Sequence, residues 1–272
     1  MSSATAVSVM DQTGYTVAVE RSPQRIVSLV PSQSELLWDL GVQARLVGCT
    51  RYCIHPAELR QSCTVIGGTK RLDVAAVLAL EPDLVLANKE ENERAIIEQL
   101  RAHVPTWTSD IATLADAAAM IAAVGRLCAV SDAAVALNAS IEREWRSLPS
   151  ARAERVAYLI WRKPYMAVAR ETFIDDVLAQ LGFCNVFSDR SRYPETTLTE
   201  LAALRPDRVL LSSEPYPFGD RHIAEVAAAL PASEIDLVDG EMFSWYGSRL
   251  ALAPRYFRTL LTANTVASGA AS

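Results

Sequence analysis

The side chains most able to do chemistry in this chain gather early, at Cys49-x-x-x-Cys53-x-His55, with Cys63 further on. Thiolate and imidazole are ligands for zinc and softer metals. The spacing matches no zinc finger, and no second cysteine–histidine pair completes four ligands. The thiols therefore read as ordinary buried cysteines. His55 by itself, in a loop that follows a strand, could still be the axial ligand to iron or cobalt carried inside a macrocycle. His103 and His222 have no partners at ligand spacing and read as structural or solvated.

Enzyme signatures are missing. There is no Gly-x-Gly-x-x-Gly, no phosphate-loop Gly-x-x-x-x-Gly-Lys, no Gly-x-Ser-x-Gly and no His-Glu-x-x-His. Gly67-Gly68-Thr69-Lys70 lacks the lead-in glycine of a phosphate loop and reads as a turn.

The elements that must position these residues are legible from periodicity. Val7–Glu20 alternates around Asp11-Gln12-Thr13-Gly14, as a hairpin does. Arg25–Val30 is a short β-branched run that ends at Pro31, so it reads as a buried strand. Ser32 or Ser34 can cap a helix Glu35–Leu40, which stops at Gly41. Strands at 46–49 and 83–87 then alternate with helices at 74–80 and 91–102, the pattern of a parallel α/β fold. Residues 106–148 hold no proline and are rich in alanine and leucine, so they are expected to form one or two long helices, the last starting near Ser131.

After Pro149 the first pattern returns. Arg155–Ile160 is a strand, and Thr172–Leu181 is a helix that stops at Gly182. Leu204-Arg205-Pro206-Asp207-Arg208-Val209-Leu210 echoes Leu80-Glu81-Pro82-Asp83-Leu84-Val85-Leu86. The expected organisation is an N-terminal α/β lobe over 1–110, a helical segment over 111–149 and a C-terminal α/β lobe over 150–272.

Composition narrows the function. The 272 residues are 50% hydrophobic and 21% charged, enough for a real core. A net charge of −6 argues against a general nucleic-acid or anionic-membrane binder. Five cysteines are too few and odd in number for a disulfide scaffold. Met1-Ser2-Ser3-Ala4-Thr5 offers no basic or apolar export region, and the first cation is Arg21. A cytoplasmic location is therefore expected for the chain as it stands, unless its N-terminus is incomplete.

Two-lobe α/β proteins place ligands at the carboxyl ends of their strands. Aromatics are only 7% of the chain, yet Tyr52, Trp161, Tyr165, Tyr216, Phe218, Phe243, Trp245 and Tyr246 all follow strands. Such a lining suits a flat, partly apolar ligand such as a macrocycle.

Arg25-Ile26-Val27-Ser28-Leu29-Val30-Pro31-Ser32-x-Ser34-Glu35, then Leu40-Gly41, resembles the opening of the iron-siderophore/cobalamin periplasmic-binding family. Leu80-Glu81-Pro82-Asp83-Leu84-Val85 and, more loosely, Trp245-Tyr246-Gly247-Ser248-Arg249 resemble its later landmarks. The nearest likeness is to the cobalamin-binding branch, the helical-backbone metal receptors.

The resemblance implies two Rossmann-like lobes joined by a long rigid backbone helix near 131–148, the class III periplasmic-binding-protein architecture. It implies a non-catalytic substrate-binding protein of an ABC importer that takes cobalamin, heme or a ferric siderophore between the lobes. It implies no intrinsic cofactor, a permease partner and a monomer. Ser32, Tyr52, His55, Trp161, Tyr165, Tyr216, Phe218, Trp245, Tyr246 and Arg249 are the expected ligand contacts. His55, expected to face Trp161 and Trp245, is the expected metal contact through a bound chelate. Glu93 and Glu214 are the expected permease-docking carboxylates. His55 falls where cobalamin binders carry a stacking tyrosine, and Gly67 where they carry a tryptophan. A cytosolic metal or corrinoid carrier, or an enzyme on the same scaffold, is the alternative.

Overall fold

The computed structural model describes residues 6–149 and 153–267, with side chains described up to 262. The stretch Met1–Thr5, read for an export signal, lies outside them. The chain forms two compact units. The first takes the chain up to Ile111, then Ala115–Arg143 and Trp245–Ala251. The second takes Ala112–Leu114, Glu144–Ser244 and the chain from Leu252.

The first unit opens with the hairpin β1 (Val7–Met10) and β2 (Thr16–Val19), paired antiparallel. Asp11 folds its turn, since Oδ1 accepts the backbone N–H groups of Thr13 and Tyr15 at 2.9 and 2.8 Å. Five parallel strands follow: β3 (Ile26–Ser28), β4 (Leu46–Cys49), β5 (Thr64–Val65), β6 (Leu84–Asn88) and β7 (Thr106–Ser109), in the order β5-β4-β3-β6-β7. Helices α1 (Pro31–Asp39), α2 (Leu59–Ser62), α3 (Val74–Leu78), α4 (Arg94–Arg101) and α5 (Leu114–Leu127) connect or cover them. On one face Val27, Leu29, Val85 and Ala87 pack against Ile66, Val77, Ile97 and Leu100. Helix α6 (Ser131–Arg146) then carries the chain into the second unit.

The second unit holds β8 (Arg155–Trp161), β9 (Tyr165–Ala167), β10 (Cys184–Asn185), β11 (Glu195–Thr196), β12 (Arg208–Ser212) and β13 (Glu234–Val238). Their order is β11-β9-β8-β12-β13, with β10 also on β8. Strands β8, β12 and β13 run parallel, while β9 and β11 add an antiparallel edge. Helices α7 (Phe173–Gln180), α8 (Leu198–Leu204), α9 (Asp220–Ala229), α10 (Gly240–Ser244) and α11 (Ala253–Ala267) complete it.

The internal repeat extends to individual hydrogen bonds. Glu81 and Arg205, each before a proline, sit in the left-handed region at φ 48° and 49°. Asp83 accepts the backbone N–H of Gln24 and Arg25 at 2.8 and 2.9 Å, and its own N–H donates to the Arg25 carbonyl. Asp207 accepts the Arg155 N–H at 2.9 Å and donates to the Arg155 carbonyl. The guanidinium of Arg25 donates to the Leu80 carbonyl, and that of Arg155 to the Leu204 carbonyl.

Two local expectations are corrected. The stretch from 106 is not helical at its start, because Thr106-Trp107-Thr108-Ser109 forms β7 beside β6. Two threonines and a tryptophan prefer an extended, fully buried strand, and a missing proline does not outweigh that. Helix α1 begins at Pro31, ahead of either serine. Proline at the first helical position has φ already set and an absent N–H that costs nothing there. Ser34 instead donates its hydroxyl back to the Val30 carbonyl at 3.0 Å.

Candidate functional site

In the first unit, β4 delivers the chain into the loop that carries Tyr52 and His55. Cys53 pins this loop. It is fully buried, with Sγ 3.1 Å from the Ser34 hydroxyl and 3.3 Å from the Thr50 hydroxyl. A hydrogen bond from the Cys49 thiol pulls the Cys53 thiol down to about 6 against burial, with Ser34 and Thr50 assisting. The same contact, together with Cys63, pushes Cys49 up. Among the described residues no group of three or more His, Cys, Asp or Glu side chains is placed to hold a metal ion. Cys49, Cys53 and Cys128 are buried, Cys63 is half-buried and Cys184 is exposed.

His55 is half-buried and stands edge-on to Trp245, ring centroids 5.5 Å apart and planes at 70°. Trp245 arrives on the segment Trp245–Ala251, which docks on the start of α1. Gly247 permits the approach, because a Cβ there would lie 2.9 Å from the Ser32 carbonyl oxygen. Ser32 itself is buried. Tyr246 is also buried. Arg249 lies with its guanidinium carbon 4.8 Å from the Trp245 ring centroid. It grips Glu35 of α1 with two donors, Nε to Oε2 at 3.0 Å and Nη2 to Oε1 at 2.7 Å. Burial raises the Glu35 carboxyl, and the hydrogen bond and charge of Arg249 oppose it. Tyr52, by contrast, is 52% exposed, with the Arg51 guanidinium 5.8 Å from its ring centroid.

The second unit gathers the other expected contacts on its own strand ends. Trp161 closes β8, is 40% exposed and meets Tyr216 edge-on at 5.7 Å. Tyr216 in turn packs on Phe218 at 4.8 Å. Tyr165 donates its hydroxyl to Glu225 at 2.8 Å, and Arg162 Nη2 donates to the same carboxylate at 2.7 Å. Arg162 foremost, then Tyr165, hold the Glu225 carboxyl below its usual range. Beneath lies His222, 1% exposed, with Nδ1 accepting the Gly219 N–H at 2.9 Å and Nε2 3.1 Å from the Tyr216 hydroxyl. Burial, aided by Arg221 and Arg162, lowers the His222 pKa. This imidazole is a buttress under the aromatic group.

The ten expected contacts therefore divide into Ser32, Tyr52, His55, Trp245, Tyr246 and Arg249 on the first unit and Trp161, Tyr165, Tyr216 and Phe218 on the second. Glu93 is exposed at the start of α4. Glu214 is half-buried, and its Oε1 accepts the Ser244 hydroxyl at 2.7 Å. Sequence reasoning missed Glu35, Glu225 and the buttressing role of His222, because each is defined by a partner or by burial that no local pattern displays.

The family profile described as periplasmic binding protein matches residues 26–232. The vitamin B12-binding protein of Pectobacterium carotovorum is 24% identical over 258 residues, 92% of each chain. The periplasmic vitamin B12 binding protein of Vibrio cholerae shares the fold, with a TM-score of 0.76 at 20% identity over 89% of this chain and 98% of that one. The periplasmic heme binding protein of Pseudomonas aeruginosa does so with a TM-score of 0.74 at 24% identity, over 88% and 92%.

Proposed function

The chain belongs to the periplasmic binding protein family, and on that premise we propose that it is the substrate-binding protein of an ABC importer for cobalamin or a related metal chelate, heme or a ferric siderophore. The observation that carries the ligand class is the pairing of His55 with Trp245, which offers a metal-ligating nitrogen beside an aromatic wall. Imidazole coordinates the open axial position of iron or cobalt, and the indole supplies flat contact area at low entropic cost. Curated relatives named for vitamin B12 and cobalamin and neighbours named for heme support the same class.

Delivery requires a membrane permease. The exposed Glu93 is the carboxylate this reading offers to permease cations on the first unit, and Glu214 the one on the second. Tryptophan quenching by aquocobalamin, hemin and ferrichrome tests the proposal. Saturable binding of at least one at micromolar concentration or below supports it; no saturable binding of any of the three rejects it.

A further inference from the structure

Glu35 and Arg249 are 214 positions apart, yet their side chains are only 10% and 7% exposed and meet through a two-donor fork. A guanidinium has five donors in one plane, so a fork onto a carboxylate fixes its orientation as well as its position. The orientation fixed here lays Arg249 on Trp245, at 4.8 Å from the ring centroid. Trp245 then presents itself to His55 at 5.5 Å. The chain of contacts runs Glu35, Arg249, Trp245, His55, all within the first unit. Along this chain Arg249 and Trp245 are 6% and 8% exposed, and His55 is half-buried.

A buried ion pair is weak evidence for stability, since desolvating two charges costs about as much as their attraction returns. Its geometry is more informative. With Gly247 packed on the Ser32 carbonyl, the pair is the second of two fasteners that hold Trp245–Ala251 on α1.

We infer that Glu35 is a positioning residue for the ligand face: by orienting Arg249 it sets the Trp245 ring, and through that ring the imidazole of His55. The inference rests on the ligand face proposed above, but its first readout needs no ligand. Glu35→Gln keeps the shape and loses the charge and one acceptor.

The protein is labelled with 5-fluorotryptophan, and the Trp245 resonance is assigned by its loss in Trp245→Phe. In Glu35→Gln that fluorine resonance is expected to move while those of the other tryptophans stay. Hemin, used as probe, is expected to bind at least tenfold more weakly with an altered Soret band. Arg249→Lys, which keeps the charge and loses the fork, is expected to do the same. The double variant is expected to be no worse than either single one, because both break one contact chain.

An unmoved Trp245 resonance in folded Glu35→Gln overturns the inference, as do additive losses in the double variant. Should a single variant fail to fold, the apolar replacement Glu35→Leu with Arg249→Met keeps the packing without a lone buried charge. It must shift the same resonance. If the parent protein binds neither hemin nor aquocobalamin nor ferrichrome, the ligand reading falls while the fluorine resonance still decides the positioning role.

Discussion

His55 and Trp245 meet edge-on, centroids 5.5 Å apart, although one follows the second strand of the first sheet and the other follows the last strand of the second. This contact sets an imidazole beside an indole ring. On the function proposed above, His55→Ala is expected to weaken binding of hemin or aquocobalamin and to shift the ligand's visible band, since the proposed metal-ligating nitrogen is removed. Absorption spectra of the loaded parent and variant check it. An unchanged spectrum and affinity would make His55 a plain wall residue.

Gly125 of α5 is placed so that a Cβ would come 2.4 Å from the Cβ of Ala134 on α6. Alanine favours a helix interior by about 1 kcal/mol over glycine. The clash dominates here, because neither methyl can rotate away. Gly125→Ala is expected to lower stability by ~1–3 kcal/mol, the usual cost of overpacking. Adding Ala134→Gly should recover part of it. Urea denaturation measures both; a Gly125→Ala protein as stable as the parent would show that the helices separate freely.

The two pre-proline turns store the same strain. Glu81 and Arg205 hold φ of 48° and 49° with full side chains. A left-handed non-glycine residue costs roughly 1–2 kcal/mol, offset by roughly 0.5–1 kcal/mol of extra unfolded-state entropy for glycine. Glu81→Gly and Arg205→Gly are each expected to stabilise by up to ~1 kcal/mol. The turns' anchors are backbone carbonyls and the Asp83 and Asp207 carboxylates, which both changes leave in place. Equal or lower denaturation midpoints would contradict the strain argument.

Glu91 sets a pH dependence. Burial raises its carboxyl above the usual range, with the Lys70 charge and the Thr69 hydroxyl opposing. Between the unfolded value, about 4.3, and the raised folded value, the native state binds more protons than the unfolded one. Stability contributed by this group therefore falls as pH rises through that window. Glu91→Gln is expected to gain on the parent at pH 7.5 and to lose that advantage near pH 4. Denaturation midpoints at both values check the sign; an identical difference at the two would remove Glu91 as the cause.

Much of the architecture was legible because it is written in short-range terms. β-Branched runs, the glycines after α1 and α7, and the repeated Leu-x-Pro-Asp each act through sterics and hydrogen bonds within a few residues. That is enough to place most strands and helices and to suggest the repeat, which the paired Arg25–Asp83 and Arg155–Asp207 bonds then carry to atomic detail. Strand β7 escaped because Thr106–Ser109 gains its extended form from pairing with β6, a neighbour distant in sequence.

The site was legible by residue type and not by partnership. Aromatics after strands and a histidine before a proline nominated the candidate contacts, since residue types alone limit which chemistry a loop can offer. Which of them meet was decided only by tertiary structure. The segment Trp245–Ala251 follows the second sheet in the chain yet packs in the first unit, bringing Arg249 to Glu35 and Trp245 to His55. No periodicity encodes that crossing. It depends on a carboxylate and a guanidinium that neutralise each other out of water, and on Gly247 leaving room at the Ser32 carbonyl. Such conditions exist only once the chain has folded, because an ion pair this far apart in sequence has no geometry before then.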